Sequence, residues 1–155
     1  MQRTLESADC ITVHALAQRC GGLTVHTPYA YWALLEIYQG SSVGVETCDG
    51  LHGFVLVTRA GRETAFVWQL GVVPTFRGRG VGAALLRSAV LTAGRAGVTR
   101  ILATVAPSNA ASVATFESVA RSVSGHLEQS VVENVPDTGP RGDRERLLTL
   151  TKSGQ

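Results

Sequence analysis

The chain has 155 residues, 45% of them apolar and 17% charged, and a formal net charge of +2 at pH 7. That length suits a single globular domain, and no uncharged apolar run approaches the roughly 18 residues that a membrane span needs. The basic residues are scattered arginines, with Lys152 the only lysine, so no basic face for nucleic acid is implied.

The opening stretch "MQRTLESADC" lacks the basic-then-apolar order of a secretory signal. Cys10, Cys20 and Cys48 are odd in number and form no C-x-x-C pair, which argues against a disulfide framework or zinc cage and fits a reducing cytoplasm better. Residues 9–20 read as a helix with Ile11, Ala15 and Leu16 near one face, stopped by Gly21-Gly22. A second helix opens with Thr27 as cap and Pro28 at its first position and runs toward Gly40. Residues 43–47 and 51–58 read as strands around an Asp49-Gly50 turn. After the turn "RAGRE", the stretch "TAFVWQLGVV" (64–73) is rich in aromatic and β-branched residues and reads as a long strand.

Three glycines at every second position, Gly78, Gly80 and Gly82, are then interleaved with Arg77 and Arg79. Residues 83–93 have the leucine and valine spacing of an amphipathic helix, and 100–106 read as a strand. Residues 107–120 read as a helix capped by Ser108 or Asn109. Residues 126–134 and 144–151 read as closing strands, with a turn-rich loop at 135–143 between them. The order predicts an α/β fold, a mixed sheet with helices on its faces.

Strand, glycine turn and helix is the arrangement in which main-chain N–H groups and a helix N-terminus converge on phosphate. Glycine permits positive φ and removes the Cβ that would hold a ligand away, and arginine supplies charge-assisted hydrogen bonds. A Walker-type loop needs Gly-Lys-Ser/Thr, which is absent. Gly78-x-Gly80-x-x-Ala83 formally matches a dinucleotide fingerprint, but "PTFR" separates it from its strand and no acidic residue ends the next strand.

Arg77-x-x-Gly80-x-Gly82 resembles motif A of the GNAT superfamily of acyl-CoA-dependent N-acetyltransferases, in the setting "WQLGVVPTFRGRGVGAALL". "TVAPSNAASVATFESV" is similar to that superfamily's motif B. Within it, "PYAYWALLEIY", "FVWQLGVVPTFRGRGVG" and "TVAPSNAAS" resemble the diaminobutyrate acetyltransferase family of ectoine biosynthesis, over roughly residues 11–150. Where that family has an acidic residue and an asparagine before the second helix, this chain has Thr24, His26 and Thr27.

The resemblance implies a single-domain GNAT fold whose sheet splays after the long central strand. It implies acetyl-CoA as donor and a small diamino acid such as L-2,4-diaminobutyrate as acceptor. Another small amine, an amine-bearing antibiotic, or acyl-CoA binding without turnover are the alternatives. No metal is implied, and a cytoplasmic homodimer is. The amides of Gly78, Arg79, Gly80, Val81, Gly82 and Ala83 are expected to cradle the CoA pyrophosphate, with Arg77 beside them. The main chain at Leu70, Gly71 and Val72 is expected to pair with the pantetheine arm, with Asn109 and Phe116 on the arm's other side. An N–H near Gly71 or Val72 is the expected oxyanion donor.

For the amine's proton, Glu63 is the first expected base and Glu36 the second. The motif B aromatic is Phe116, which cannot donate a proton, so Tyr31, Tyr29, Ser112 or water is expected to serve the leaving sulfur. His26, Tyr29, Tyr31, Glu36, Trp68 and Gln69 are the expected acceptor contacts. His14 and His52 read as surface or packing residues.

Overall fold

In the computed structural model, residues 1–132 and 144–152 are described; the turn-rich segment 135–143 and the end of the strand expected at 126–134 lie outside the described residues. The elements are β1 (Gln2–Thr4), α1 (Cys10–Cys20), α2 (Pro28–Glu36), β2 (Val43–Thr47), β3 (Gly50–Arg59), β4 (Thr64–Val72), α3 (Val81–Arg95), β5 (Arg100–Val105), α4 (Ala110–Ser122), β6 (Gly125–Val131) and β7 (Arg146–Lys152). Three-residue 3-10 turns precede α1 (Ser7–Asp9) and follow β4 (Pro74–Phe76).

Local chemistry sets most of these limits. The Thr27 side chain accepts a hydrogen bond from Ala30 N–H at 3.2 Å, and Pro28 starts α2, where a missing N–H costs nothing. The Asn109 side chain, rather than Ser108, caps α4 by accepting from Ser112 N–H at 3.1 Å. β1 was not expected; three residues are too few for alternation to show.

The strands form one mixed sheet in the order β1-β2-β3-β4-β5-β7-β6, as the sequence predicts in kind. β4 and β5 are parallel and the other neighbours antiparallel. β3 is apolar on both faces. Val55 and Val57 join a core with Leu85, Leu86 and Val90 of α3, Phe116 of α4 and Ile101, Leu148 and Leu150 of the sheet. Phe54 and Leu56 join a second core with Val13 and Leu16 of α1 and Tyr31 and Leu35 of α2. Helices therefore cover both faces. Each fully buried leucine or valine contributes about 1.5–3 kcal/mol relative to an exposed one.

Candidate active site

The site begins where two strands part. β4 and β5 pair only through Thr64–Arg100, Ala65–Ile101 and Phe66–Leu102. Beyond Phe66, β5 keeps its pairing with β7 on the other side, while β4 keeps only β3. The splay expected after the central strand is therefore present. Val73 N–H donates to His52 C=O at 2.9 Å. Alternation along an antiparallel ladder then turns the main-chain groups of Gly71 and Gln69 toward β3 and those of Leu70 and Val72 into the seam. This corrects the expectation for Gly71, whose N–H belongs to β3; Leu70 and Val72 carry the donors that face the opening. Gly71 has a steric task, because a Cβ there would lie 2.8 Å from both Leu23 Cδ1 and Phe54 Cε1 and 3.0 Å from Cys20 Sγ.

A β-bulge lies at the same point. Leu56 pairs with Gln69 and Val57 with Val67, so Trp68 is the extra residue. The side chains of Trp68 and Gln69 consequently both reach the α2 side of the sheet. Gln69 is buried, accepts from Tyr31 Oη–H at 3.0 Å and donates Nε2–H to Thr24 C=O at 2.8 Å. Trp68 is 45% exposed, with its ring 5.6 Å from His26 and 6.2 Å from Phe66.

At the far end of β4, the Pro74–Phe76 turn leads to Gly78 (φ 71°) and Gly80 (φ 74°), both in the left-handed region, and Gly80 caps α3. An added Cβ at either meets nothing within 4 Å, so backbone conformation is what selects glycine there. Ala84 N–H bonds Gly80 C=O at 2.9 Å, and no carbonyl among the described residues takes the N–H of Gly78 to Ala83. The Arg79 guanidinium lies over the Phe76 ring, and these donors share one turn at the positive end of α3. They fit an anionic diphosphate, and the seam beyond them fits an extended arm with strand-like hydrogen bonding.

Several expected site residues sit elsewhere. Arg77 is a tether: its guanidinium donates to Val72 C=O at 2.9 Å and to the carbonyls of Cys20 and Gly21, and its N–H bonds Pro74 C=O. Tyr31 is 0% exposed, and its hydroxyl also receives His26 N–H at 3.4 Å. Burial pushes that phenol above its ordinary pKa, and its hydroxyl is engaged within the core, where it positions Gln69. Phe116 is 3% exposed and belongs to the core.

Glu63 is an exposed residue at the closed end of the strand pair, where its C=O accepts from Thr99 and Arg100 N–H. Five residues of strand, about 17 Å, separate it from Trp68. That distance removes it as the base. Glu36 ends α2 and is exposed, about 10 Å along the helix from Tyr29. Tyr29 is 71% exposed and packs against Trp32 at 5.7 Å. Asn109 is exposed and occupied with its cap. Phe66 and Thr24 were not anticipated: Phe66 shares a face with Trp68 by alternation along β4, and Thr24 meets Gln69 through the bulge, which no residue pattern announces. Among the described residues no cluster of three or more His, Cys, Asp or Glu could hold a metal, and no helix is long and apolar enough to cross a membrane.

Known proteins share this arrangement. The Acetyltransferase (GNAT) family model matches residues 12–120. The L-2,4-diaminobutyric acid acetyltransferase of Nocardia farcinica is 34% identical over 121 residues, 77% of this chain and 63% of that protein. Its counterpart in Bordetella parapertussis is 32% identical over 148 residues, 92% of this chain and 78% of the relative. The chain thus spans less than two thirds of the Nocardia protein's length. The solved diaminobutyrate acetyltransferase EctA of Paenibacillus lautus, in complex with its substrate L-2,4-diaminobutyric acid and coenzyme A, superposes with a TM-score of 0.84 at 29% identity, covering 97% of this chain and 93% of that one. The ribosomal-protein-S18-alanine N-acetyltransferase of Escherichia coli shares the fold at a TM-score of 0.78 and 18% identity, covering 100% of this chain and 96% of that one. A strand pair that parts beside a bulged tryptophan, opened onto a helix N-terminus with free amides, is thus set in a chain that belongs to the Acetyltransferase (GNAT) family.

Proposed function

We propose that this chain is an acetyl-CoA-dependent N-acetyltransferase acting on a primary amine of a small diamino acid, with L-2,4-diaminobutyrate as its acceptor and ectoine biosynthesis as its setting. The observation that carries the reading is the seam between β4 and β5, bounded by unpaired main-chain donors at one end and by the Trp68 bulge at the other. The relatives named above carry the same activity in their names, and the Paenibacillus protein binds both diaminobutyrate and coenzyme A. The chain works as one such domain, in the cytoplasm and as a homodimer on the family's pattern.

Acetyl-CoA supplies an acetyl group already activated as a thioester. The N–H groups of Gly78 to Ala83 hold its diphosphate, while Leu70 and Val72 offer strand-like hydrogen bonds to the extended arm. A main-chain N–H of Leu70 or Val72 donates to a carbonyl oxygen gaining negative charge, at no cost of reorganisation. Trp68 gives the acceptor an aromatic wall, and a cationic amine favours that wall's π-face. His26, beside Trp68, replaces Glu63 as the group that takes the amine's proton. Tyr29 and Glu36 border the acceptor from the exposed side of α2, and Gln69 fixes the floor through Tyr31 and Thr24.

Incubating the full chain with acetyl-CoA and a panel of diamino acids, other amino acids and aminoglycosides tests this. Thiol release is followed by a colorimetric reagent, and mass spectrometry locates the acetyl group. The expected result is release with diaminobutyrate well above background. Release on another amine alone moves the acceptor assignment, and coenzyme A binding without release on any amine overturns catalysis.

A further inference from the structure

His52 is buried at 8% exposure, and its Nδ1 has no hydrogen-bond partner among the described residues. It is also the extra residue of the second β-bulge in the sheet: Val45 pairs with Gly53 and Glu46 with Leu51, so His52 has no partner in β2. That bulge turns the imidazole beneath the connector leading to the diphosphate loop. The ring lies flat on Phe76, with centroids 4.2 Å apart and planes within 8°. Arg79 covers the same phenyl ring, its Cζ 5.6 Å from the centroid. His52 Nε2 is 2.7 Å from Thr47 Oγ1, which also accepts from Asp49 N–H at 3.3 Å. The hydrogen bond between His52 Nε2 and Thr47 Oγ1, whichever ring tautomer makes it, pins one edge of the imidazole.

We infer that His52 is a positioning residue for the donor-binding loop, acting through the column His52–Phe76–Arg79 to hold the amides of Gly78 to Ala83 at one place. The inference rests on the proposed coenzyme A reading. From Val73 to Gly80 the only regular structure is a three-residue turn, so side-chain tethers fix where the loop stands. Arg77 is one, clamped to the carbonyls of Val72, Cys20 and Gly21. The stacked column is the other. A leucine at position 52 would fill the space without an orphaned nitrogen; what it lacks is a flat face for Phe76 and a pin to Thr47 that sets the ring's rotation.

The test is calorimetric binding of coenzyme A to the full chain, together with separate KM values for acetyl-CoA and acceptor and with kcat. The proteins are wild type, His52→Leu, His52→Phe, Phe76→Leu and the His52→Leu/Phe76→Leu pair, each checked for cooperative melting. His52→Leu and Phe76→Leu should each weaken coenzyme A binding three- to tenfold, and the pair should lose no more than about twofold beyond the weaker single variant. His52→Phe, which keeps the stack, should stay within about threefold of wild type, with acceptor KM unchanged throughout. Should His52→Leu not fold, Phe76→Leu, altering a half-buried connector residue, carries the same comparison. Wild-type affinity in folded His52→Leu or Phe76→Leu, or a pair whose losses multiply, overturns the inference. Failure of the wild type to bind coenzyme A overturns the proposed function itself, a distinguishable result.

Discussion

At single residues, the site is shaped as much by what is left out as by what is placed. Gly71 stands where any side chain would press on Leu23, Phe54 and Cys20, three groups that join α1 and the following loop to β3 and β4. Phe54 is fully buried and cannot swing aside. Gly71→Ala should therefore cost about 1–3 kcal/mol of stability, the usual range for overpacking, read as a lower denaturation midpoint with an unchanged slope. The caps Thr27 and Asn109 and the left-handed glycines Gly78 and Gly80 were legible as residue types because their chemistry is local. Tyr31, Phe116 and Arg77 were misplaced for the opposite reason. A tyrosine, a phenylalanine and an arginine have the same formulae at a ligand as in a core, and only the packing of α2, α4 and the end of α1 decides between them. Glu63 was misplaced although its position before β4 and the splay beyond that strand were both expected: the length of strand between the two was not weighed.

Among elements, the connector and first turn of α3 are where the proposed coenzyme A reading is most open to test. Gly80 sits at φ 74° as the cap, and a left-handed conformation costs an ordinary L-residue roughly 1–2 kcal/mol. Gly80→Ala should fold, since its methyl meets open space, yet shift the loop and weaken coenzyme A binding about three- to thirtyfold. Titration calorimetry reads this directly, and equal affinity would mean the loop's conformation is set without that glycine. Helix starts were well read because Thr27, Pro28 and Asn109 act on their own backbone. Where no such signal acts the limits drifted: α2 stops at Glu36 rather than near Gly40, and α3, which has no side-chain cap, begins at Val81 rather than Ala83. The two bulges, at His52 and Trp68, were invisible. A bulge is a relation between strands, and neither strand alone records it.

For the whole molecule, the sheet and its two cores followed from strand and helix order, while β1 and its fastenings did not. Arg3 on β1 reaches Asp9 Oδ1 and Glu46 Oε2, each at 2.8 Å, and so ties the first strand to the turn before α1 and to β2. The hydrogen bond from Arg3 holds the Asp9 carboxyl below its usual pKa, against the opposing effect of partial burial. A depressed carboxyl pKa adds stability that is complete above the unfolded value near 4 and is lost as pH falls through the folded value. Asp9→Asn should thus be less stable than wild type at pH 7, with the gap closing below about pH 4. Urea midpoints measured across that range check the sign, and a constant gap would mean that the pair has no linkage to folding.

The three-rung contact between β4 and β5 has a mechanical consequence. α3 packs on β2, β3 and β4, whereas α4 packs on β6 and β7, and the two helices touch each other. Beneath the seam the two sides stay joined, because Val55 and Val57 share one buried core with Phe116, Ile101, Leu148 and Leu150. Widening the opening for a guest of greater girth therefore works against close packing in that shared core.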